Sequence, residues 1–363
     1  TGKIFHKFFG ENIFRSDLSV SVPELGSLLE HTEAIGESEK SAAKIFGSDE
    51  TYFVTNGTST SNKIVFHYCV TPGDIVLIDR NCHKSIMHSI IMTGAIPIYL
   101  TPSRNSLGII GPIHEENFEW SEIEKAIKES PLVEDKENYR IKLAVITNST
   151  YDGLCYNART ILDRLEKVVD FVLFDEAWYA YAKFHPMYLG RFGMSSDIDR
   201  ERSPVVFSTH STHKLLAAFS QGSMIHVKDG RKRVDHGRFN EAYMMHMSTS
   251  PQYAIIASLD VAAKMMAGNA GRFLIDETIQ EAIIFRKKMK HLKKEIESKE
   301  TDRKRRWWLE IWQPDKVSIE TESGERKTFD LEDIDESILK DRPDCWYLKA
   351  NEDWHGFGKL DND

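Results

Sequence analysis

Short, uninterrupted apolar runs recur along the first two thirds of the chain, each followed by a longer stretch of mixed character. Ile75-Val76-Leu77-Ile78, Ile96 to Leu100, Leu143 to Ile146, Phe171 to Phe174, Val205-Val206-Phe207 and Met224 to Val227 are rich in β-branched and aromatic residues. None alternates apolar with polar positions, as a strand with one wet face does, so each is expected to be buried on both sides. Interleaved with helical segments, they predict an α/β fold with a mainly parallel sheet covered by helices on both faces. Such sheets bind ligands beyond the carboxyl ends of their strands. Asp79, Thr147, Asp175 and Ser208 stand at such ends.

Past residue 250 the texture changes. Pro251 precedes a helical pattern from Tyr253 through Met266, which Gly268-Asn269-Ala270-Gly271 breaks. An amphipathic pattern then runs from Asp276 to about Ser298, with Ile279, Ile283, Ile284, Met289, Leu292 and Ile296 on its apolar face. It reads as a connecting helix leaving a large domain of residues 1–272. Residues 273–363 then comprise that helix and the start of a smaller α+β domain. There, Trp307 to Trp312 and Cys345 to Leu348 read as aromatic strands flanking an acidic insertion, Glu320 to Asp341. The chain starts without Met and stops among polar residues, so a longer parent polypeptide is expected.

Composition narrows the class. With 41% hydrophobic and 10% aromatic residues over 363 positions, the chain has ample material for a core and does not resemble a disordered segment. Lys plus Arg number 47 against 56 Asp plus Glu, and the net charge of −9 argues against a nucleic-acid or anionic-membrane partner. The basic residues between Arg286 and Arg306 are interleaved with Glu295, Glu297, Glu300 and Asp302, as on a solvated helix face. Cys69, Cys82, Cys155 and Cys345 show no paired spacing, so neither a disulfide framework nor a metal site is expected, and a reduced, cytoplasmic setting fits. No stretch reaches the roughly 20 apolar residues of a membrane span.

Five polar runs stand where the strand pattern puts ligands. Asn56-Gly57-Thr58-Ser59-Thr60 links a strand to a helix, and small residues there bring amides and hydroxyls against a phosphate; a glycine turn with a helix cap is the plainer alternative. Asp79 to Ser85 holds His83, whose flat ring suits stacking on a planar cofactor or a structural hydrogen bond. Asn148-Ser149-Thr150-Tyr151-Asp152-Gly153 lines a crevice or simply turns the chain. Asp175-Glu176-Ala177-Trp178 places a carboxylate on a rigid strand end among apolar neighbours, where it needs a cationic partner or serves as a helix cap. Ser208-Thr209-His210-Ser211-Thr212-His213-Lys214 gathers hydroxyls, imidazoles and an amine ahead of the apolar Leu215 to Phe219.

Lys214 and Asp175 together suggest a pyridoxal phosphate site. A lysine amine holds the aldehyde cofactor covalently, while a buried carboxylate keeps its ring nitrogen protonated.

Asn148 to Gly153, Asp175 to Trp178, Ser211 to Gln221, Asn240 to His246, Ser248-Thr249-Ser250-Pro251 and Trp354-His355-Gly356-Phe357 resemble the bacterial inducible arginine, lysine and ornithine decarboxylases. These are fold-type-I pyridoxal phosphate enzymes, and the likeness runs through essentially the whole chain. It implies a fold-type-I large domain and the start of a smaller C-terminal one. By that resemblance Lys214 is the Schiff-base lysine, Asp175 the partner of the ring nitrogen and His83 the residue stacked on the ring. Thr58, Ser59 and Ser211 match phosphate contacts, and Trp178 and His213 lie beside the cofactor. Ser248 matches a residue reaching the neighbouring subunit's cofactor phosphate, where relatives carry threonine. Lys214 or His213 would return a proton to the substrate α-carbon.

The resemblance further implies a homodimer with a shared active site, assembly into larger rings, and proton consumption that serves acid resistance. The family's N-terminal wing domain and complete C-terminal domain are absent from these 363 residues. For substrate, Phe174 to Tyr179, Glu129 to Leu132 and the insertion before Trp354 resemble the arginine branch, giving agmatine, ahead of the lysine branch, giving cadaverine. Leu215 to Gln221 matches lysine enzymes equally well, and ornithine stands third. An aminotransferase and a non-catalytic, decarboxylase-like binding protein are the readings from other classes.

Overall fold

The main sheet of this computed structural model has seven strands. Residues 2–18, 22–105, 108–307, 309, 311–320 and 324–346 are described. Among the described residues the strands, in chain order, are β1 (Glu50–Val54), β2 (Ile75–Asp79), β3 (Ile96–Leu100), β4 (Pro102–Arg104), β5 (Ile110–Ile113), β6 (Ile141–Thr147), β7 (Phe171–Asp175), β8 (Val205–His210), β9 (Ser223–Lys228), β10 (Lys316–Glu320) and β11 (Arg326–Asp330). The large sheet has the order β1-β9-β8-β7-β6-β2-β3. From β3 to β8 all pairings are parallel, while β9 runs antiparallel to both β8 and β1. Each of the six apolar runs is a strand of this sheet, and the architecture is the expected α/β one.

Continuous apolar character follows from burial on both faces. Along β2, Val76 and Ile78 belong to one core and Ile75 and Leu77 to another on the opposite side, all four essentially without solvent contact. The first core takes in Ile64, Val65 and Phe66 of the helix Thr58–Cys69, and the second takes in Ile161, Leu162 and Leu165 of the helix Ala158–Leu165. Register aligns the carboxyl ends where ligands collect: Thr147 of β6 pairs with Asp175 of β7, and Asp175 with Thr209 of β8.

The C-terminal part hangs on one long helix, Gly268–Lys299, which runs through the expected division at residue 272. Its Ile279 and Ile283 pack with Val317, Leu331, Ile334, Leu339 and Cys345 as a third, small core. Three local expectations are corrected here. The helical pattern breaks at Met266–Ala267, ahead of Gly268-Asn269-Ala270-Gly271, which instead forms the first turn of the next helix. Gly271 is needed there because a Cβ would sit 2.2 Å from the Met266 carbonyl oxygen.

The described residues of Trp307 to Trp312 are not in a strand; Trp312 packs as an anchor beside Ile279, Ala282 and Ile283 of the long helix. Cys345 and Trp346 lie in a single 3₁₀ turn, where the Trp346 indole donates to the Leu339 carbonyl at 2.8 Å. The antiparallel hairpin is β10 and β11, so its second strand lies inside the acidic stretch. Among the described residues, no helix is long and apolar enough to cross a membrane.

Candidate active site

Beyond the carboxyl ends of β6, β7 and β8 lies a cavity of about 520 Å³. Eight of the residues expected at a cofactor site line it: Thr58, Ser59, His83, Asp175, Trp178, Ser211, His213 and Lys214. Asn81, Cys82, Thr147, Ser149 and Tyr151 complete much of the wall. Ser248 does not line it. That residue is exposed and accepts a hydrogen bond from the Ser250 amide.

One end of the cavity is built for an anion. Gly57 precedes the helix Thr58–Cys69 with φ 78 and ψ 165, and an added Cβ would meet nothing within 4 Å. No side chain caps this helix, and with the Thr60 and Ser61 amides donating to the Gly57 carbonyl, those of Thr58 and Ser59 remain for a ligand. Thr58 Oγ1 lies 2.6 Å from Ser211 Oγ and 2.9 Å from Ser223 Oγ, and Ser223 donates to the His210 carbonyl at 2.7 Å. The Gly57 amide donates to the Gln221 carbonyl at 2.8 Å, tying this turn to the loop that follows Lys214.

Asp175 closes β7 and is buried. Asn62 donates to its Oδ2 at 3.0 Å and the Ala177 amide to its Oδ1 at 3.3 Å. Burial pushes the carboxyl up, while Asn62, His83, the Ala177 amide and Lys214 pull it back. A buried carboxylate with so little hydrogen bonding favours a cationic partner.

His83 caps the helix Lys84–Thr93 by accepting from the Ser85 amide through Nδ1. Its neutral tautomer therefore carries hydrogen on Nε2, and burial lowers its pKa, so the flat ring presented to the cavity is uncharged. His213 Nδ1 lies 2.9 Å from the Gly222 carbonyl, which only accepts, so Nδ1 donates and Nε2 is the nitrogen left without this bond.

Lys214 occupies the single helical turn Thr212–Leu215, and its Nζ stands 4.1 Å from the centre of the Trp178 ring. Burial lowers its pKa and Asp175 opposes that. The residue remains exposed, as do Leu215 and Phe219 beside it, so the amine is only partly desolvated and is shifted in the direction of its neutral, nucleophilic form.

Several members of the site carry no sequence signal. Asn62 joins Asp175 to Ser85 and accepts from Thr209 at 2.8 Å. Ser223, from β9, completes the hydroxyl cluster. Glu176, next to Asp175, turns away from the cavity and accepts from Asn148 at 2.9 Å and the Gly193 amide at 2.8 Å. Asp79 is likewise buried outside the cavity, holding the Asn81 amide, with its pKa raised to about 6 by burial.

The donor set fits pyridoxal phosphate: an amine, a buried carboxylate and a neutral imidazole beside a phosphate-competent helix end. The volume suits one such molecule.

Comparison with known proteins agrees with this geometry. Residues 1–363 match the model of the family described as Orn/Lys/Arg decarboxylase, major domain. Lysine decarboxylase LdcA of Pseudomonas aeruginosa is 55% identical over 363 residues, covering 100% of this chain and 45% of that protein. The biodegradative arginine decarboxylase of Escherichia coli is 47% identical over 356 residues, covering 98% and 46%. The solved structure of lysine decarboxylase A from Pseudomonas aeruginosa superimposes with a TM-score of 0.84, covering 99% of this chain and 44% of that one. L-threonine transaldolase from Pseudomonas fluorescens, at 14% identity and a TM-score of 0.51 over 73% of this chain and 52% of that one, shares the fold. The chain spans less than half the length of the curated relatives it matches. It belongs to the ornithine, lysine and arginine decarboxylase family, of which it carries the major domain.

Proposed function

We propose that this protein decarboxylates a basic amino acid with pyridoxal phosphate, consuming a proton per turnover. The observation that carries the reading is the meeting of Lys214 and Asp175 in one cavity, with a phosphate-competent helix end among its walls. When bound, pyridoxal phosphate supplies an electron sink for the bond to the departing carboxylate.

The chain's own residues do the rest. Lys214 offers its amine as the attachment point, held against the Trp178 face with its pKa lowered. Asp175, buried at the strand end, would keep a proton on the cofactor's ring nitrogen, an electrostatic contribution that burial of the carboxylate strengthens. His83 would supply a neutral flat face for the ring, and Thr58, Ser59 and Ser211 would hold the phosphate. His213 Nε2, not engaged by the bond to Gly222, is the ring nitrogen that would carry a proton to the α-carbon, with Lys214 as the other candidate. Ser248 is assigned to the cofactor phosphate of a neighbouring copy in a homodimer. Its exposure and its place outside the walls of this cavity are compatible with that role. Four free cysteines support the cytoplasm as the compartment.

L-lysine is the preferred substrate in this proposal, on the strength of 55% identity to a lysine decarboxylase against 47% to an arginine decarboxylase. Arginine is the second reading, carried by the runs Phe174 to Tyr179 and Glu129 to Leu132. Release of carbon dioxide from lysine, arginine and ornithine by the full-length protein decides between them. Borohydride reduction followed by peptide mapping should leave the cofactor on Lys214, and Lys214→Ala should abolish turnover. Label on another lysine, or undiminished turnover in that variant, would overturn the assignment.

A further inference from the structure

A second cavity, of about 350 Å³, opens where the long helix Gly268–Lys299 meets the turn after β6. Tyr188, Trp312 and Trp346 supply flat apolar walls, and Ser149 belongs both to it and to the active-site cavity. An adjoining cavity of about 500 Å³ shares Asp152, Ala282, Arg286 and Trp312 with it, so the two form one groove.

Arg286 is the unusual group. It is half-buried, and its Nη1 donates to the Trp312 carbonyl at 3.2 Å and to Gln313 Oε1 at 3.4 Å. Among the described residues no carboxylate lies within ion-pair distance of it, although Asp152 stands on the rim of the same groove. Burial lowers its pKa, and no acidic residue offsets that; only Tyr188 does. A guanidinium carries five N–H donors in a planar fork, and the two weak contacts leave most of that fork unused. The Arg191 side chain lines the same cavity, adding a second positive charge.

We propose that this groove binds a small monoanion with a planar apolar body, a carboxylate held by Arg286 with its ring between Tyr188, Trp312 and Trp346. The Arg286 guanidinium disfavours a cationic diamine or a second basic amino acid beside it, so its end of the groove is distinct in its chemistry from the active cavity, with the Asp152 carboxylate on the rim. Its occupant is of the opposite charge to the proposed product, and the inference stands whether or not the protein is a decarboxylase.

Calorimetric titration of the full-length protein, saturated with pyridoxal phosphate to fill the active cavity, tests this with 2-naphthoate against its neutral analogue 2-naphthamide. The acid is expected to bind once per chain, about tenfold or more tighter than the amide, as for a charge-assisted hydrogen bond. Arg286→Gln should erase that difference, and Ala282→Trp, which fills the groove, should abolish both. Equal affinity for acid and amide, no binding of the acid, or binding indifferent to Arg286→Gln would each overturn the proposal. The acid and amide comparison uses the unaltered chain, so a variant that fails to fold leaves the test intact.

Discussion

Asn62 sets the geometry on which Asp175 depends. Both hydrogens of its amide are committed, to Asp175 and to Ser85 at 3.0 Å each, and its oxygen accepts from Thr209, so the side chain has one orientation. Asn62→Ala removes a donor from a buried carboxylate, at about 1–3 kcal/mol. Pyridoxal phosphate affinity, followed by absorbance titration, should fall about tenfold or more on that ground; an unchanged affinity would show that Asp175 holds its place unaided. The sequence made Lys214 and Asp175 legible because an amine after a hydroxyl run and a carboxylate on an apolar strand end are rare and chemically pointed. Asn62 was not legible: a lone asparagine within a helix says nothing of a partner 113 residues away. Nor does the dipeptide Asp175-Glu176 say which carboxylate faces the cavity. Alternation along an extended chain requires only that they point apart.

The turn from β1 into the helix Thr58–Cys69 is the element on which the phosphate end rests. Gly57, with φ 78 and ψ 165, holds a conformation that residues with a Cβ avoid, yet that Cβ would enter open space. Gly57→Ala should therefore cost about 1–3 kcal/mol through the backbone alone, measured as a loss in urea unfolding of the cofactor-free protein. A neutral effect would mean that the turn relaxes. Gly271 is the reverse case, an ordinary backbone blocked by the Met266 carbonyl. The sequence marked both glycines as breaks in pattern. It could not separate a glycine needed for its φ from one needed for a close approach, which is why the start of the long helix was read several residues late. Aromatic runs misled for a related reason: Trp312 and Trp346 resemble strand residues in composition but serve as anchors against that helix and its neighbours.

Across the main sheet, strand identity was legible and strand order was not, because continuous apolar runs report burial on two faces without naming neighbours. Acid stability is another property of the assembled fold, and two histidines act on it with opposite sign. His246 Nε2 lies 2.8 Å from His67 Nδ1, joining the turn after the helix His236–Met244 to the helix Thr58–Cys69. Burial, His67 and Lys63 lower the His246 pKa to about 4. Between its ordinary value of 6.5 and about 4 the folded chain binds fewer protons there than the unfolded chain, so stability present above 6.5 is lost as pH falls. His31 runs the other way. Burial pulls it down, but the Glu39 carboxylate, 2.8 Å away, and Asn240 raise it overall. Its contribution is full below 6.5 and is lost as pH rises through the folded value. Thermal denaturation across this range should therefore separate them. His246→Gln should shrink the drop in melting temperature between neutral and acidic pH, whereas His31→Gln should cost more at acidic than at alkaline pH. If both substitutions shifted the melting temperature equally at every pH, neither histidine would be coupled to folding through its proton, and the acid response would have to come from other groups, the buried His226 and the carboxylates among them.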